Sequence, residues 1–168
     1  MYFNAFLGDL FGAFIEWGFL MAFLFNLAVT SNKADSRVLV LSFIMMISYF
    51  ISGFVEFSSY SYLNWFYFDL ITITVILFWM YIAKIANFCG TSYIFVGLTL
   101  NSILMLSIYI DIFIYKNTSE WILWTLYSFG VNIIDITMIL ILLLNKDFLK
   151  LHHFINVYFT RVKVLNRG

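Results

Sequence analysis

Apolar residues run along this chain in stretches of about twenty, separated by short polar clusters such as TSNKADSR after the first stretch. Neither strict alternation nor a wide polar face interrupts them, so closed barrels and amphipathic bundles are both poor fits. The pattern predicts transmembrane helices at roughly Phe3 to Val29, Val38 to Phe57, Leu63 to Ala83, Tyr93 to Tyr115 and Trp121 to Leu144. At 1.5 Å per residue each of these crosses about 30 Å of hydrocarbon. The fold class is therefore all-α and integral to a membrane, with a five-helix transmembrane domain over residues 1–146 and short linkers that make sequential helices antiparallel neighbours.

After Lys146 the pattern changes. Leu151, Phe154, Ile155, Tyr158, Phe159, Val162 and Leu165 follow a three-to-four spacing, while Lys150, His153, Asn156 and Arg161 fall largely off that stripe. This predicts an amphipathic tail over residues 147–168 lying along the inner surface. Lys150, Arg161, Lys163 and Arg167 are its candidate contacts to anionic lipid or to a partner. The adjacent His152 and His153 point about 100° apart on a helix, which does not suit a shared metal.

Composition supports the membrane reading. Of 168 residues, 64% are apolar and 11% charged, with a mean hydropathy of +0.97. Lys and Arg set the direction: with the C-terminus inside, eight fall on the inner side and only Lys116 on the outer, which puts the N-terminus outside. Bacterial cytoplasmic and mitochondrial inner membranes both fit. The start MYFNAF has no basic n-region, and the first apolar run has no small-residue cleavage site, so its removal is not expected. Proline is absent, so continuous helices are expected rather than interrupted ones. A single cysteine, Cys89, excludes an internal disulfide and any Cys-based cluster from this chain alone.

The candidate chemistry lies in buried acids. Glu16 and Asp135 fall near the middle of their spans, where an uncompensated charge costs at least ~2.5 kcal/mol. Asn132 precedes Asp135 by one turn and Asn101 sits at similar depth, giving a midplane polar cluster of Glu16, Asn101, Asn132 and Asp135 as a candidate proton or cation path. Asp9, Glu56, Asp69 and Asp111 map to outer ends as a second acidic group. Gly8, Gly12 and Glu16 recur every four residues, a stripe along which another helix is expected to approach. The acids serve either as protonatable stations or as hydrogen-bonding glue to an adjacent subunit. Phosphate loops, His-Glu-x-x-His and Gly-x-Ser-x-Gly are absent, so no catalytic centre, cofactor, resident metal or nucleic-acid partner is expected.

In length, span number and direction the chain is similar to the small five-span membrane subunit of respiratory complex I. That family has a tyrosine followed closely by glycines in its third span; here the stretch is Tyr67-Phe68-Asp69-Leu70-Ile71-Thr72, without glycines. The similarity implies a hydrophobic subunit of an energy-converting respiratory complex, partnered by other membrane subunits and either structural or lining a proton path. The alternative is a small homo-oligomeric cation or proton channel or carrier. An assembly factor docking through the tail is a third class.

Overall fold

A computed structural model describes residues 5–30, 36–117, 119 and 121–145, and of residues 5–7 and Asp9 the backbone only. The expected tail, with Lys150, Arg161, Lys163 and Arg167, lies outside the described residues. What is described is 84% helix without strand. The helices are α1 (Ala5–Thr30), α2 (Arg37–Ser52), α3 (Ser61–Ile82), α4 (Cys89–Tyr109) and α5 (Ile122–Leu144), and α4 runs on into a π-helical turn, Ile110–Ile114.

Four segments are long and apolar enough to cross a membrane: Leu10–Thr30, Ser61–Ile82, Cys89–Ile114 and Ile122–Leu144. The helix expected to reach Phe57 stops at Ser52 instead, and its 16 residues span roughly 24 Å. The stop is tied to the start of the next helix. Asn64, at the start of α3, accepts the Phe57 N–H at 2.7 Å and donates to the Val55 carbonyl at 3.2 Å. Backbone groups that would prolong α2 are thereby held in a connection, and Glu56 lies in that connection rather than at a span end.

The five helices form a ring in chain order, closed by α1 against α5. The half of the ring holding the end of α1 and the start of α2 is solid. Phe19, Leu41, Met45, Ile76, Ile94, Leu98, Ile141 and Leu142 are fully or almost fully buried there. Asn26 bridges this half, its amide donating to the Leu142 carbonyl at 2.9 Å and the Ala22 carbonyl at 2.8 Å. Close approach comes at two glycines: a Cβ at Gly18 would stand 2.6 Å from Ile139 Cδ1, and one at Gly97 2.5 Å from Met138 Sδ. At Gly8 and Gly12, where the spacing predicted a helix approach, a Cβ meets nothing within 4 Å among the described residues. The close packing lies nearer the solid half because α1 leans on α5 there and faces a hollow at its start.

Outward faces are apolar: Trp17, Phe78, Ile122 and Ile133 are each more than half exposed. Hydroxyls on those faces bond to their own helix, Thr74 to Leu70 O, Thr99 to Phe95 O and Thr137 to Ile133 O, at 2.7–2.8 Å. A hydroxyl bonded this way presents no unsatisfied donor to hydrocarbon.

Candidate functional site

Above the solid half, the ring opens into a cavity of about 1100 Å³. It is built from one end of every helix: the start of α1, the end of α2, the starts of α3 and α5, and the end of α4 with its π-helical turn. The short α2 contributes to this opening, since its last turns, at Tyr49 and Ser52, form wall where a longer helix would stand between α1 and α3. Gly8 and Gly12 widen the wall by carrying no side chain.

Near the middle of the ring the cavity meets a buried hydrogen-bonded cluster. Asp135 Oδ1 accepts from the Tyr49 hydroxyl at 2.6 Å and from Asn101 Nδ2 at 2.7 Å. Asp135 is 4% exposed and Asn101 2%. The Tyr49 ring packs on Phe19, centroids 4.2 Å apart, which holds its hydroxyl towards α5. With Nδ2 committed to the carboxylate, the Asn101 amide has its Oδ1 left as an acceptor. That oxygen is buried and has no hydrogen-bond partner among the described residues. On the neighbouring wall Ser102 donates to Asp69 Oδ2 across a long 3.5 Å. Below, the hydroxyls of Ser48 and Thr72 bond to each other and tie α2 to α3.

The four residues of the midplane cluster all line this cavity. Only Asn101 and Asp135 are joined directly. Asn132 turns its amide to the Ser128 carbonyl of its own helix, at 2.6 Å, and Glu16 is exposed on the wall near Gly53. The outer acids do not form one group. Asp69 lines the cavity, Glu56 sits in the α2–α3 connection, and the Asp9 side chain lies outside the described residues.

Asp111 is sealed into the π-helical turn. It accepts from Trp121 Nε1 at 2.8 Å, Trp124 Nε1 at 3.0 Å and Asn117 Nδ2 at 3.1 Å. These bonds close the connection between α4 and α5, which makes Asp111 a fastening of the cavity rim. Sequence reasoning passed over Tyr49. The available signal was Ser48, Tyr49 and Ser52, a cluster of hydroxyls in the last two turns of a mostly apolar helix.

Chemically the cavity is an acceptor site. Glu16, Asp69 and Asp135 line it, and no Lys or Arg does so among the described residues. Carboxylates in a low-dielectric recess focus a negative potential that attracts cations. Nor do three His, Cys, Asp or Glu side chains converge as a metal-ligand set among the described residues. No protein family, curated protein or solved structure matches this chain.

Proposed function

We propose that this chain is a multi-pass membrane protein that takes a cation into the vestibule from its N-terminal side and carries it across. In this reading all five helices span the bilayer, with α2 completed by its connection, the N-terminus outside and the C-terminus inside. The eight-to-one distribution of Lys and Arg supports that direction. The vestibule then opens outwards, and the solid half is the closed inner gate. Asp135 is the central station, Asp69 and Glu16 are wall acids, and Tyr49 and Asn101 orient the Asp135 carboxylate.

One observation carries the reading: the Asn101 Oδ1 acceptor, buried without a donor beside a buried carboxylate at the foot of an acid-lined cavity. An unmet acceptor of this kind costs on the order of 1–3 kcal/mol, and an arriving cation or its hydration shell removes that cost. This favours a carrier over a structural subunit of a respiratory assembly, because one chain builds the whole cavity.

The test is cation flux in proteoliposomes containing the full chain, measured with proton- and sodium-sensitive dyes under an imposed gradient. Asp135→Asn should reduce flux at least tenfold, and Glu16→Gln should have a smaller effect because that residue stands exposed on the wall. Flux unchanged in Asp135→Asn, at equal protein incorporation, overturns the assignment. Migration of the gently extracted chain in a large particle with many different subunits would return the protein to the respiratory-subunit reading.

A further inference from the structure

The geometry points to a substrate class: a small organic amine, held through a protonated primary or secondary ammonium group at Asp135 and Asn101, with its carbon body against the aromatic upper walls. This rests on the cation reading above and narrows it.

Hydrogen-bond accounting comes first. Tyr49 and Asn101 Nδ2 both donate to the same Asp135 oxygen, and Asn101 Oδ1 takes nothing. Asp135 and Asn101 both line the foot of the cavity, and the unmet amide oxygen is buried there beside the carboxylate. A primary ammonium has three N–H donors and a secondary one two, so either serves both acceptors at once. A quaternary ammonium has none and would leave the amide oxygen unmet.

Size and wall chemistry agree. A cavity of about 1100 Å³ is slightly larger than usual ligand pockets, so it admits an organic molecule, and it far exceeds the ~30 Å³ share of a water molecule. Its upper walls are aromatic: Tyr60, Tyr62, Trp65, Phe113, Trp124 and Tyr127. Tyr60 packs against Phe113 with centroids 4.5 Å apart and the rings tilted by 57°, and Tyr62 meets Tyr127 edge-on at 5.5 Å. Such faces attract an organic cation and pack its carbon skeleton. A hard metal cation such as calcium takes six to eight oxygen ligands, and the acids of this cavity do not converge as a metal-ligand set among the described residues.

The inference is tested by titration calorimetry on the full chain in lipid nanodiscs, comparing phenethylammonium, its N,N,N-trimethyl analogue and sodium. Phenethylammonium should bind saturably at one site and at least tenfold more tightly than the trimethyl analogue. Asn101→Leu, which removes the free acceptor together with the Nδ2 donor to Asp135 and adds no charge, should weaken phenethylammonium tenfold or more. Glu56→Gln, in the exposed connection, should leave binding unchanged. Equal affinity for the two amines, or no effect of Asn101→Leu, overturns the inference. So does sodium or proton flux that depends on Asp135 with no saturable amine binding, an outcome that leaves the cation reading standing. Loss of both amine binding and cation flux overturns the two together. The ligand comparison uses the unmodified protein, so the test does not depend on a variant folding.

Discussion

Asp111 and Asp135 are the same residue type, yet their surroundings give them different work. Asp135 uses one oxygen for two donors, one from α2 and one from α4, and faces a cavity. Asp111 collects two indoles and an amide from the segment that follows it. Substitution separates the two. Asp111→Ala leaves the Trp121 and Trp124 N–H groups without their acceptor and should lower the melting temperature by roughly several degrees, while protein that remains folded keeps its amine affinity. A melting curve and a titration on one sample check both parts. Loss of affinity without loss of stability would move Asp111 into the site.

At the scale of elements, glycine position discriminates packing from space. Gly97 stands where a Cβ would lie 2.5 Å from Met138 Sδ and 2.8 Å from its Cγ, and Met138 is itself buried. Gly97→Ala should destabilise the α4–α5 contact by about 1–3 kcal/mol, as overpacked cores do. Gly12→Ala meets open space and should be neutral or stabilising by up to about 1 kcal/mol, since alanine is the better helix former. Unfolding in mixed detergent micelles measures both; a reversed order would place the helix contact back at the start of α1. Spacing alone favoured Gly8 and Gly12 because a four-residue repeat marks one face of a helix and says nothing about what stands opposite. The end of α3 is a similar case. Lys84 takes a left-handed φ of 51°, with its N–H bonded to Tyr81 O and that of Ile85 to Met80 O. This is a helix-ending motif that usually employs glycine. A lysine adopts that conformation at some backbone cost.

At the scale of the whole molecule, the ring has one solid end and one hollow end, so its function depends on which end faces out. In a Cys89→Ser background, Ser59→Cys at the mouth should react with a membrane-impermeant maleimide on intact cells. Lys84→Cys, at the opposite end, should react only after the membrane is opened. The reverse pattern would invert the orientation and put the vestibule on the inner side.

The helical class and the approximate positions of the helices are legible in the sequence, because run length acts locally and adds along the chain. Glu16, Asn101, Asn132 and Asp135 stood out for the same reason: a polar residue in an apolar run is costly wherever its helix packs. Tertiary structure decided the rest. Asn64, twelve residues beyond Ser52, helps end α2 short. Closure of α1 on α5 makes a cavity from five helix ends, and Tyr49 reaches Asp135 across 86 positions of chain. These depend on which faces meet and at what depth, a property of helix rotation and crossing that a hydropathy pattern, nearly uniform around each helix, does not encode.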